Sequence, residues 1–360
     1  MIHNSNHIVI MAGGVGSRFW PMSTVSKPKQ FIDVLGVGKS LLQLTYDRFK
    51  GITRPENIWI VTNEKYVDIV CQQLPNIPIS NILSEPCMRN TAPCIAYVSF
   101  KIKHTDPRAN IIVTPSDHIV TDLDEFKRIV TKCLEFTSET DAILTLGIKP
   151  NRPETGYGYI QADLSMISGR NNEIFRVDKF REKPDLETAK QYIKQKNFYW
   201  NSGVFIWNVS TIVNAFRIYQ PNISRIFENI YSKFGTSQEQ EIINNVYREC
   251  DNISVDYAIM EKAEEIFVYP ANFGWSDLGT WGSLYIQSEK DTLNNALIGN
   301  NIQMFDCKDC IVHTTDEKKV VVQGLNGYII AEKDNTLLIC KLTEEQRIKE
   351  FSNDNNKNKS

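Results

Sequence analysis

Short apolar runs alternate with longer amphipathic ones over about the first 150 residues. "HIVIMA", "NIWIVT", "NIIVTP" and "DAILTLG" are brief, rich in Ile and Val, and stopped by turn residues, as buried strands are. Between them lie the helical patterns "SLLQLTYDRFKGI", "NTAPCIAYVSFKIKHT" and "DLDEFKRIVTKCLEFT". This alternation predicts an α/β fold with a Rossmann-like sheet, mostly parallel or mixed, flanked by helices. Right-handed crossovers then bring the loops that follow the strands to one edge, where open α/β sheets bind ligands.

Beyond that point the pattern mixes. "GYGYIQAD", "IFRVDKFREKP" and "SGVFIWN" predict strands and "DLETAKQYIKQ" a helix. Helical stretches follow near 210–230 and 238–249, then a late strand at "EIFVYPA". From about 296 short β runs separated by polar turns predict a small β module. "TEEQRIKEF" predicts a closing helix, and "SNDNNKNKS" is polar enough to stay disordered. The expected domains are 1–290, a β module over 291–345, and a terminal helix and tail over 346–360.

Composition narrows the function. With 40 Lys and Arg against 43 Asp and Glu, and no basic runs, nothing points to nucleic acid. No apolar run has the length of a membrane span, and the N-terminal apolar run leads straight into glycines without a cationic leader. The expectation is a cytoplasmic protein. Eight cysteines are scattered, and the lone C-x-x-C pair, Cys307 and Cys310, lacks the further ligands of a zinc site. Two thiols beside a turn is the simpler reading.

The loop after the first strand, "MAGGVGSRFWPMSTVSKPKQF", is the strongest chemical signal. It is not a Walker loop, and Phe19 stands where a dinucleotide-binding fingerprint needs its third glycine. The shared physics remains: glycines let backbone N–H groups curl around an anion. Arg18 adds a forked donor suited to phosphate and Lys29 a compact charge, while Pro21 and Pro28 restrain the loop. Two aspartates follow strands elsewhere, Asp117 in "TPSDHIV" and Asp277 in "GWSDLGT". The helices after them have nearer caps in Thr121 or Asp122 and in Thr280, which leaves both carboxylates available.

The loop resembles the signature of the sugar-1-phosphate nucleotidyltransferases, and "FWP…KPKQF" is similar to the form found in mannose-1-phosphate guanylyltransferases. The resemblance spans about 12 to 285 and implies a GT-A-like nucleotidyltransferase fold. It implies a nucleotide site of Ala12, Gly13, Gly14, Gly16, Glu85, Asn90, Thr91 and Asp117, with Arg18 and Lys29 on the triphosphate. "EPCMRNTAP" matches the segment guanylyltransferases place beside the base. Mg²⁺ would sit on Asp117 and Asp277. Gly156 and Gly158 of "TGYGYI", Glu182 and Lys183 of "FREKP", and Asn201 of "WNSGVF" would take the sugar phosphate, with Lys183 orienting it. "SVDYAIMEK" at 254–262 is family-like as well.

The implied reaction is GTP plus α-D-mannose 1-phosphate giving GDP-mannose plus diphosphate. The β module resembles the family's β-helix-like tail, which implies a homodimer; no phosphomannose isomerase activity is expected, since longer relatives carry that in a cupin domain after this module. Three other readings stay open: transfer to another sugar phosphate, a nicotinamide-dependent oxidoreductase, and a non-catalytic nucleotide-sugar sensor.

Overall fold

The computed structural model describes residues 5–14, 16–168, 173–314 and 318–352. The polar tail expected to be disordered lies, beyond Ser352, outside the described residues. By contact density the chain forms two compact units that do not follow sequence order. The first unit comprises 1–13, 46–116 and 120–275; the second comprises 14–45, 117–119 and 276–360.

The first unit is built on one sheet. Its strands are β1 (Asn6–Met11), β2 (Ile58–Asn63), β3 (Ile82–Glu85) and β4 (Asn110–Pro115). The short β5 (Ile119–Val120) marks a passage between units. Then come β6 (Ile143–Ile148), β7 (Tyr159–Ser168), β8 (Ile174–Arg181), β9 (Phe198–Asn208) and β10 (Ile266–Ala271), and the short β11 (Trp275–Ser276) marks another passage. The nine-stranded order is β3-β2-β1-β4-β9-β6-β10-β8-β7. β1, β2, β3 and β4 pair in parallel, as do β6 and β10, while β9 runs antiparallel to β4, β6 and β7. The sheet is therefore mixed, as the sequence predicts. β1, β2 and β6 are buried almost throughout, which explains their continuous apolar character.

Helices flank this sheet. Thr91–Thr105 is buried from Ala92 to Ile102 and packs with Val209–Tyr219 and Pro221–Asn229 in an aromatic-rich core. Leu123–Glu139 is amphipathic, burying Phe126, Ile129, Val130, Cys133 and Leu134 at helical spacing. Asp122 caps it, accepting from the Glu125 N–H at 3.0 Å.

The second unit holds the C-terminal strands: β12 (Ala296–Ile298), β13 (Ile302–Phe305), β14 (Ile311–His313), β15 (Val320–Gln323), β16 (Tyr328–Lys333) and β17 (Thr336–Lys341). β12, β14 and β16 stack in parallel, and so do β13 and β15, giving a short β-helix-like module. Phe19, Met22, Ile32, Trp281 and Leu284 share one core with Ile298, Ile311, Ile329 and Ile348. The glycine-rich loop thus folds onto the C-terminal module. Cys307 and Cys310 are buried beside a turn, their thiols donating to the Phe305 and Lys308 carbonyls, each at 3.2 Å.

Candidate functional site

In the second unit Gly16, Arg18, Lys29, Asp117 and Asp277 line one pocket. His118, Phe19, Gly279 and Lys349 complete its wall. Gly16 has φ 55°, and a Cβ there would sit 2.7 Å from the Lys29 Cβ, so both conformation and space require glycine. Pro28, at φ −60°, leads into a 3₁₀ turn, Lys29–Phe31, that buries the lysine. The Lys29 ammonium pairs with Asp117 at 2.9 Å and donates to the Asp277 and Leu278 carbonyls at 3.0 and 2.9 Å. Leu278 adopts φ 45°, an uncommon conformation for a branched residue at the turn that presents these carbonyls. The Asp277 carboxylate accepts from the Gly279 N–H at 3.0 Å. Thr280 forms a capping box with Ser283, so the helix after this turn is capped without help from Asp277.

Arg18 is exposed, and among the described residues its guanidinium has no hydrogen-bond partner. Gly14 is also exposed and lies outside the pocket wall; its carbonyl accepts from the Gln30 amide at 2.7 Å. Among the described residues no group of three His, Cys, Asp or Glu side chains gathers as a metal site. Two carboxylates beside a phosphate-type pocket nonetheless fit Mg²⁺, which takes one or two protein carboxylates and fills its shell with phosphate and water oxygens.

The other sequence candidates lie in the first unit. Ala12 is buried, its N–H donating to the Val61 carbonyl at 2.8 Å and its carbonyl accepting from Thr62 at 2.9 Å. A Cβ on Gly13 would stand 3.4 Å from a Glu85 carboxylate oxygen. Glu85 ends β3, is buried, and accepts from the Tyr247 hydroxyl; burial raises its pKa to about 7 against the lowering effect of that bond. Asn90 caps the helix that begins at Thr91, and the Thr91 hydroxyl accepts from the Val255 N–H at 2.9 Å. Both therefore have structural work of their own.

Gly158, just before β7, Glu182 and Lys183, in the turn after β8, and Asn201, on β9, come together. Asn201 donates its N–H to the Gly158 carbonyl at 2.8 Å, and Glu182 pairs with Lys183 at 2.5 Å. A Cβ on Gly158 would strike the Glu182 carboxylate and stand 3.3 Å from the Asn201 Cβ. Gly156 lies just outside, in an exposed turn where its N–H donates to Glu154 at 3.1 Å. Asn201 is inside a strand rather than in the turn before one, because the aromatic "FYW" extends β9 back to Phe198.

Three residues of these sites escape the sequence reading. Asp256 accepts from the Asn201 amide at 3.0 Å and begins a π-helical turn, Asp256–Met260. Burial, then the Glu182 charge, lifts its pKa to about 6. An Asp ahead of an apolar run looks like a helix cap, which hides it. His118 is overshadowed by its neighbour Asp117, and Lys349 sits in what reads as a solvated helix.

Residues 7–294 match the Nucleotidyl transferase family. The chain is 34% identical over 347 residues to the xanthan biosynthesis protein XanB of Xanthomonas campestris pv. campestris, covering 95% of this chain and 71% of that one. It is 32% identical over 346 residues to a mannose-1-phosphate guanylyltransferase of Escherichia coli, covering 95% and 74%. A crystal structure described as a mannose-1-phosphate geranyltransferase from Thermus thermophilus superimposes with TM-score 0.85 at 29% identity, over 96% of this chain and 98% of that one. Among the described residues no helix is long and apolar enough to cross a membrane. The chain belongs to the nucleotidyl transferase family and is a nucleotidyltransferase.

Proposed function

We propose that the chain is a mannose-1-phosphate guanylyltransferase, converting GTP and α-D-mannose 1-phosphate to GDP-mannose and diphosphate. The observation that carries the reading is the single pocket shared by Arg18, Lys29, Asp117 and Asp277 in a chain so similar to named guanylyltransferases. A phosphate oxygen of the sugar phosphate attacks the α-phosphorus. The bond from that phosphorus to the bridging β-oxygen breaks, and its electron pair leaves with diphosphate. A phosphate monoester is already anionic, so no general base is required, and catalysis is positioning and charge neutralisation.

Arg18 takes the triphosphate, with the backbone at Gly13, Gly14 and Gly16 approaching its oxygens. Lys29 adds its charge while holding Asp117 and the 277–278 turn in place. Asp117 and Asp277 would hold Mg²⁺, which when bound neutralises phosphate charge. Glu85, Asn90 and Thr91 serve the base; Gly156, Gly158, Glu182 and Asn201 serve the hexose, and Lys183 orients its phosphate. We assign the enzyme to the cytoplasm and to a homodimer. Diphosphate release over a grid of four nucleoside triphosphates and several sugar 1-phosphates, with and without Mg²⁺, tests the proposal. The expected maximum is GTP with mannose 1-phosphate; a maximum with UTP or dTTP overturns it.

A further inference from the structure

Lys349 reaches the phosphate pocket from far along the chain. It is carried by the short helix Ile348–Phe351, which continues the 3₁₀ segment Leu342–Arg347, and this pair is pinned within the second unit at three points. The Leu342 N–H donates to the Gly327 carbonyl at 2.8 Å, and Glu345 accepts from the Gly282 N–H at 2.6 Å. Ile348 is fully buried in the core that also holds Phe19 and Trp281. Burying Ile348 therefore delivers the next residue to the pocket wall beside Arg18.

Charge partners make the placement chemical rather than incidental. Arg347 is engaged by Glu344 and Glu350, each at 3.3 Å. Lys29 is engaged by three protein acceptors. The Lys349 ammonium and the Arg18 guanidinium, both on exposed residues, have no ion pair or hydrogen bond among the described residues. Two uncommitted cations in one pocket suit an extended anion with two phosphate groups, each met by its own charge.

We propose that Lys349 is a phosphate-binding residue of this site, meeting the β- and γ-phosphates of the nucleotide and the diphosphate that leaves. This rests on the nucleotidyl-transfer reading of the pocket. The test is calorimetric binding of inorganic pyrophosphate with Mg²⁺ to the wild type, Lys349→Ala and Lys349→Arg, with kinetics in both directions. Lys349→Ala should weaken pyrophosphate binding and raise KM for GTP by about tenfold, with KM for the sugar phosphate and the melting temperature unchanged. Lys349→Arg should restore most of the loss. Unchanged pyrophosphate affinity in Lys349→Ala overturns the proposal, as does an equal rise in both substrate KM values. If the wild type transfers no nucleotide yet loses pyrophosphate binding on Lys349→Ala, the reaction assignment fails and the anion site stands.

Discussion

The Lys29 ammonium lies 2.9 Å from the Asp117 carboxylate and also holds two carbonyls beside Asp277. Burial opposes ionisation of Asp117, but the charges of Lys29 and His118 outweigh it and keep the carboxyl below its ordinary value. One side chain therefore ties together the segments that carry both candidate metal-binding aspartates.

Replacing Lys29 with Met should destabilise the protein by about 1–3 kcal/mol, because three acceptors lose their donor at once. Turnover should fall with it. Urea unfolding monitored by circular dichroism, beside an initial-rate assay, measures both; a variant with wild-type stability would contradict the strut role.

Asp277→Ala removes a carboxylate without disturbing the carbonyl that Lys29 uses. Turnover should drop by about a hundredfold or more, while stability falls by only about 1 kcal/mol for the lost bond from the Gly279 N–H. Mg²⁺ and GTP together should raise the melting temperature of the wild type, and that rise should disappear in the variant. A retained Mg²⁺ response in a folded variant would remove Asp277 from the metal site.

Gly16 and Gly14 should respond differently to alanine. At Gly16 the added Cβ meets Lys29 at 2.7 Å with φ 55°, whereas at Gly14 nothing lies within 4 Å. Gly16→Ala should cost about 1–3 kcal/mol, and Gly14→Ala should melt like the wild type. Equal melting temperatures for the two variants would refute this.

Asp256 predicts a pH effect of opposite sign to Asp117. Its folded pKa is raised from 3.8 to about 6, so the folded state keeps a proton that the unfolded chain releases. Stability is then lost as pH rises from about 4 to about 6 and is level above that. Asp256→Asn should remove the penalty, giving a gain of at most about 3 kcal/mol at pH 8 that fades towards pH 4. Chemical denaturation at several pH values checks it. For Asp117, whose pKa is lowered, the contribution is present above the unfolded value and lost as pH falls through the folded one.

The strands β1, β2, β4 and β6 are legible in the sequence because burial on both faces leaves an unbroken apolar run. The helix caps are legible because a short polar side chain before an amphipathic run has one common use, and Asp122 and Thr280 fulfil it. Gly16, Arg18, Lys29, Asp117 and Asp277 stand out as candidates through motif order, and all five line one pocket. What stays hidden depends on distant pairing. No local pattern reveals that Lys29 is saturated by residues nearly 250 positions away, or that Asp256 leans on Asn201. The grouping of the glycine-rich loop with the C-terminal strands is equally invisible, since apolar residues such as Phe19 and Ile348 do not announce their partners.

That grouping has a consequence for how the protein is made. On the ribosome, the loop near the N-terminus emerges long before the residues that complete its core, Trp281, Ile329 and Ile348. Contacts so far apart in sequence close late and slowly. The core beneath the glycine-rich loop is thus completed only when Ile348 has been added, among the last residues of the described chain to leave the ribosome.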